Sequence, residues 1–144
     1  NVSNLTGEIK RIMGIDRKHT IIIVGAGNIG HALTNFPGFA ETGFEVKALF
    51  DVNEDLIGTE IKGHPVLDVK DMDEYIRENQ IDIGVIAARR SAAQEIANRM
   101  CAAGIRGIWN FVPLDITTSV PIENVHLSES LSTLSYKIEH GLLD

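Results

Sequence analysis

Apolar positions along the chain fall into short aliphatic runs separated by stretches of helical period. The run "IIIVG" at 21–25 is apolar throughout, as a strand buried on both faces of a parallel sheet should be. "FEVKALFD" at 44–51, "HPVLD" at 64–68, "IDIGVIAA" at 81–88 and "IRGIWNF" at 105–111 continue the strand series, and "VPIENVHLS" at 120–128 contributes a short sixth. Between them the period changes to three and four. Residues 4–13 put Leu5, Ile9 and Ile12 on one face of a short helix with Lys10 and Arg11 toward solvent, and the polar link "DRKHT" follows. A helix is expected over 28–36, stopped by Pro37, and one helical turn over 53–58, closed by Gly58. Another is expected over 70–79, with Met72, Tyr75 and Ile76 inward. The helix over 91–104 has Ser91 as its N-cap and Gly104 at its C-terminal turn. Last, Leu127, Leu131, Leu134, Ile138 and Leu142 form a single apolar stripe on a terminal helix. Alternating strands and helices predict an α/β fold, a Rossmann-like doubly wound parallel sheet with right-handed crossovers.

Composition narrows the function. The 144 residues suit one core, and 44% hydrophobic with 23% charged residues is the balance of an ordinary globular protein. A net charge of −7 argues against non-specific nucleic-acid binding through a broad basic face. Cys101 is the single cysteine, so the chain holds no internal disulfide and no cysteine-based metal cluster, as fits a reducing cytoplasm. No apolar run approaches the length of a membrane helix. The first residue is Asn1 rather than Met, which reads as a fragment of a longer chain or a processed one.

The chemistry concentrates at Gly25-Ala26-Gly27-Asn28-Ile29-Gly30, a G-x-G-x-x-G between a strand and a helix. Gly25 allows the tight turn, Gly27 lets a pyrophosphate approach the backbone, and Gly30 lets helix pack on strand. N–H groups of the first helical turn then face the phosphates. Asp51 ends the second strand about 20 residues further on, the interval expected of a ribose-binding acid. A carboxylate there repels a 2′-phosphate, so NAD(H) is favoured over NADP(H). Partners for catalysis are lacking: there is no Tyr-x-x-x-Lys, no two histidines share a metal-ligand spacing, and His126 alone ends a strand where it would face a site. A dinucleotide unit without an evident proton donor reads as a binding or sensing module, not an enzyme.

The segments "VGAGNIGHAL", "NFPGF", "FDVNEDLIGTEIKGHPV", "AAQEIANRMCAAGIRGIWNFVP" and "VHLSESLSTLSYKIEH" together resemble, in order and over essentially the whole chain, the Rex family of bacterial redox-sensing transcriptional repressors. The resemblance implies a homodimer that responds to the NADH/NAD⁺ ratio, with a C-terminal helix swapped between subunits. It also implies DNA binding only through an N-terminal winged-helix domain absent from this sequence. It carries Gly25, Ala26, Gly27, Asn28 and Ile29 onto the phosphate loop, Asp51 onto the ribose acid, and Asn110, Phe111 and Pro113 onto the nicotinamide end. Residues 1–126 are then an NAD(H)-binding domain and 127–144 a dimerisation helix.

Three positions depart from the family pattern. Phe36 replaces a tyrosine and His126 an aspartate that pair across subunits in typical members, and phenylalanine has no hydroxyl with which to form that bond. "AARRS" replaces the usual segment after the fourth strand, bringing Ala88, Arg89 and Arg90 to a strand's carboxyl end, where open sheets bind ligands. Two alternatives stay open: a small NAD-dependent oxidoreductase, and a coenzyme A-binding module. Asp51 opposes the second, since coenzyme A carries a ribose 3′-phosphate near that acid.

Overall fold

The computed structural model describes residues 19–36 and 38–143, so the helix expected over 4–13 and the stop at Pro37 lie outside the described residues. Strand β1 (His19–Val24) has an aliphatic side chain at each of its last four positions, and all four are buried. Their alternation divides the interior. Ile22 and Val24 meet Ala48, Phe50, Ile86 and Ile108 on one face of the sheet, while Ile21 and Ile23 meet Leu49, Val66 and Val85 on the other. Fully burying one such side chain is worth about 1.5–3 kcal/mol, so this strand anchors both cores.

Strand β2 (Phe44–Asp51) pairs with β1 in parallel, with a register shift between Ile21 and Ile22 that passes over Lys47. The bulge turns the lysine out and puts Val46 and Ala48, two apart in sequence, into opposite cores. Next come β3 (Glu60–Ile61), β4 (His64–Asp68), β5 (Ile83–Ile86), β6 (Gly107–Asn110) and β7 (Ile122–Asn124), in the sheet order β3-β4-β2-β1-β5-β6-β7. All neighbours are parallel except β3 and β4, which form a hairpin. Lys62 and Gly63 close that hairpin with φ of +52° and +82°, the conformation a two-residue turn requires. The strand order reverses between β1 and β5, as a doubly wound sheet demands.

The helices differ from expectation at their ends. Helix α1 (Asn28–Thr34) is shorter than the 28–36 expected, and a second piece, α2 (Gly38–Glu41), follows it. Helix α3 (Met72–Asn79) is preceded by a 3₁₀ turn over Val69–Asp71 that Asp68 caps through the Lys70 N–H. Helix α4 (Arg90–Ala103) starts one residue before Ser91; Arg89 holds the N-cap position, so Ser91 is not the cap. Gly104 ends it at φ +102°. Helix α5 (Leu127–Glu139) closes the chain. His19 belongs to β1, with its ring stacked on Phe44, and not to a polar link. Cys101 is half-buried against one core rather than fully enclosed.

Cover is unequal on the two faces. Helices α3 and α4 supply Met72, Ile76, Ala93, Ala97 and Met100 to the first core, and the Arg99 guanidinium binds Asp73 at 2.6 Å and the Val69 carbonyl at 2.7 Å to join them. The second face receives Leu33 and Phe39 from α1 and α2. It is left with an open apolar groove of about 480 Å³ over Ile21, Phe36, Phe44, Ile83 and Trp109. Helix α5 presents its stripe to solvent, with Leu131 68%, Leu134 53% and Ile138 72% exposed.

Strand β5 carries Gly84 because Met100 lies over it: a Cβ there would come within 2.5 Å of the Met100 Sδ. Gly84→Ala is expected to destabilise by about 1–3 kcal/mol through overpacking. In a Met100→Ala background, itself costing about 2–5 kcal/mol, that penalty should vanish. Urea midpoints of the two single variants and the double variant at constant slope measure the coupling.

Candidate functional site

The carboxyl ends of β1, β2, β5 and β6 lie side by side, and their loops continue the ladder of the sheet. Gly25 N–H donates to the Phe50 carbonyl at 2.7 Å, Ala87 N–H to that of Val24 at 2.8 Å, and Phe111 N–H to that of Ile86 at 2.9 Å. Glycine is required at two of the three motif positions by the protein itself. Gly25 has φ +113°, and a Cβ on it would run into the Ala87 carbonyl; a Cβ on Gly30 would run into the carbonyl of Gly25. Gly27 is different. It has ordinary extended backbone at the N-cap of α1, and a Cβ would meet no protein atom within 4 Å. Nothing among the described residues asks for glycine there.

Asp51 is the keystone of this edge. One carboxylate oxygen accepts from the Ala26 N–H at 2.7 Å and the other from the Asn53 N–H at 2.8 Å. The acid therefore ties the glycine loop to the turn after β2. Each carboxylate oxygen has a second lone pair, so these bonds leave acceptor capacity for hydroxyl groups. Val52 beside it is exposed. At α1, no side chain caps the helix start, and the first intrahelical bond runs from His31 N–H to the Gly27 carbonyl. Ala26 is buried, while Asn28 and Ile29 are exposed at the loop's outer side.

At the other end, Ala88 is half-buried, and Arg89 and Arg90 are exposed where β5 passes into α4. Phe111 is half-buried with its ring against Trp109 at 4.7 Å, and Pro113 is exposed. Asn110 is bonded within its own loop. Its side chain is fully buried; its amide donates to the Val112 and Leu114 carbonyls and to Asn124 Oδ1, and its Oδ1 accepts from Val112 N–H. With every polar atom committed to protein, it shapes the loop that carries Phe111 and Pro113.

The histidines stay dispersed. His31 is exposed in the last turn of α1, His140 stacks on Tyr136 at 4.0 Å, and His126 holds the N-cap position of α5 beside Ser130, Thr133 and Lys137. Among the described residues no group of three or more histidines, cysteines and acids is placed to hold a metal, and no helix is long and apolar enough to cross a membrane. Sequence reasoning missed the tether from Asp51 to Ala26 and the aromatic groove, because each joins residues from distant segments. The aspartate at the end of "VKALFD" was the visible part of the first.

The family model described as "CoA binding domain" matches residues 16–114. A "Redox-sensing transcriptional repressor Rex" from Clostridioides difficile (strain 630) is 48% identical over 98% of this chain and 68% of its own length. The solved structure of RSP in complex with beta-NADH superposes with a TM-score of 0.90 at 41% identity, over 98% of this chain and 69% of that one. RSP in complex with beta-NAD+ and operator DNA superposes at 0.92 with the same identity, over 98% of this chain and 66% of that one. This chain thus spans about two thirds of the length of these relatives.

Replacing Asp51 by Ala removes two charge-assisted bonds from a half-exposed site and is expected to cost about 1–2 kcal/mol of stability. Gly30→Ala, which sets a methyl against backbone, should cost about 1–3 kcal/mol. Gly27→Ala should cost well under 1 kcal/mol, since it meets open space. Chemical denaturation of the three variants without added ligand checks the order.

Proposed function

The chain belongs to the Rex family of redox-sensing transcriptional repressors, and from that premise we propose that these residues are its NAD(H)-binding regulatory domain, reading the NADH/NAD⁺ ratio. Rex repressors are transcriptional regulators and not enzymes, despite an oxidoreductase-like fold. The observation that carries the reading is similarity over 98% of the chain to a repressor solved once with NADH and once with NAD⁺ and operator DNA. The local geometry supports it. The vacant space at Gly27 suits a pyrophosphate held close to the backbone, and Asp51 suits the adenosine ribose. Gly25, Ala26, Asn28, Ile29 and Gly30 build the loop; Ala88, Arg89, Phe111 and Pro113 line the nicotinamide end, and Asn110 supports it from beneath.

The proposal extends to assembly. Residues 1–126 form the nucleotide domain, and helix α5 within 127–144 serves as a dimerisation helix that leaves its own subunit. Two unsatisfied apolar surfaces support this: the stripe Leu131, Leu134 and Ile138, and the groove over Phe36 and Trp109. Each solves the other's exposure when two copies exchange helices. Operator DNA would be met by a winged-helix domain of the full-length protein, in the cytoplasm. Ligand would act by favouring one subunit arrangement over another.

Calorimetric titration with NADH, NAD⁺, NADPH and coenzyme A tests the ligand. NADH should bind at least tenfold more tightly than NADPH, and Asp51→Ala should erase that preference. Tight coenzyme A binding with no dinucleotide uptake would overturn the reading in favour of the coenzyme suggested by the matched domain's description.

Sedimentation equilibrium tests the assembly. The unaltered chain should sediment as a dimer at micromolar concentration. Leu134→Asp with Ile138→Asp should give a folded monomer; an unchanged dimer would rule out α5 as the interface.

A further inference from the structure

We infer that Arg89 and Arg90 give the site its preference between the two redox forms, by placing positive charge beside the nicotinamide ring. This rests on the NAD(H) reading above. NADH and NAD⁺ share the adenosine, both riboses and the pyrophosphate. They differ in the ring, which is a neutral dihydropyridine in one and a pyridinium cation in the other. Any protein charge acting on the phosphates acts on both forms alike and cancels from the ratio of affinities. Only charge close to the ring discriminates.

The topology says which side of the sheet that is. Asp51 ends β2, so the adenosine half belongs to the β2 side of β1, and the remaining half runs over β5 and β6. Strand β5 runs into Ala87-Ala88-Arg89-Arg90, and this turn is continuous with the phosphate loop because Gly25 packs against the Ala87 carbonyl. Both arginines are exposed, and neither guanidinium forms an ion pair or hydrogen bond among the described residues. Guanidinium carries its charge at every physiological pH. Across the site, Phe111 and Pro113 are uncharged, and Asp115 further along that loop is exposed and pairs with neither arginine. Asp51 lies two strands away, about 10 Å, and its carboxylate is turned to the Ala26 and Asn53 N–H groups. The ring end of the cleft is therefore positive, and a pyridinium there is opposed where a dihydropyridine is not.

Two unit charges at about 7–10 Å in a largely aqueous dielectric change the ratio of affinities by about three- to tenfold. The effect is screened as the Debye length falls from about 10 Å at 0.1 M salt to about 3 Å at 1 M.

The test is calorimetric titration of the protein, and of Arg89→Gln/Arg90→Gln and Arg89→Lys/Arg90→Lys double variants, with NADH and NAD⁺ at low and high salt. In the glutamine variant the ratio Kd(NAD⁺)/Kd(NADH) should fall three- to tenfold, even if lost phosphate attraction weakens both ligands. The lysine variant should keep the ratio, and high salt should bring the unaltered protein's ratio toward that of the glutamine variant. Both ligands bound at an unchanged ratio in the glutamine variant would overturn this inference and leave the NAD(H) reading standing. If the unaltered protein takes up neither dinucleotide, the NAD(H) reading falls, and this inference with it.

Discussion

Three stretches of backbone meet at the carboxyl edge of the sheet with no room for a single Cβ between them. The Gly25 carbonyl lies under Gly30, and Gly25 lies against the Ala87 carbonyl. This contact fixes how closely α1 sits on β1 and how closely the end of β5 approaches the glycine loop. Asp51 then clamps the loop to β2 through the Ala26 N–H. Strand β1 with its following helix, β2 and β5 are held at one edge by two close backbone approaches and one carboxylate. The edge they form holds backbone donors, one acid and open space beside Gly27.

The same sheet leaves a problem on one face. Helices α3 and α4 cover the first core well, with Met100 filling the space above Gly84 and Arg99 tying the two helices together. Among the described residues the helices over the second face are α1 and α2, and both are short. Phe39 sits at the centre of an aromatic cluster there, edge-on to Phe36, Phe44 and Trp109. Its groove and the stripe on α5 are both apolar, and among the described residues neither covers the other. The carboxyl edge of the sheet and the apolar groove meet at Phe111 and Trp109, whose rings touch.

The sequence by itself determined the repeating elements and the identity of the loop. Aliphatic strands such as "IIIVG" must be buried on both sides, and the interval from the glycines to Asp51 is set by the length of one strand–helix–strand unit. These are local or nearly local constraints, so spacing records them. Element ends were less legible. The first helix stops at Thr34, and Arg89 rather than Ser91 precedes α4, since ends depend on which backbone groups find partners in the folded chain. The β3–β4 hairpin escaped notice because a two-residue strand carries no period, although Lys62-Gly63 held its turn signal. Tertiary structure alone decided the rest. It committed Asn110 to its own loop, passed over Lys47 in a bulge, and gathered Phe36, Phe39, Phe44 and Trp109 into one groove. Those outcomes turn on hydrogen-bond satisfaction and packing between segments far apart in the chain, which no pattern along the chain encodes.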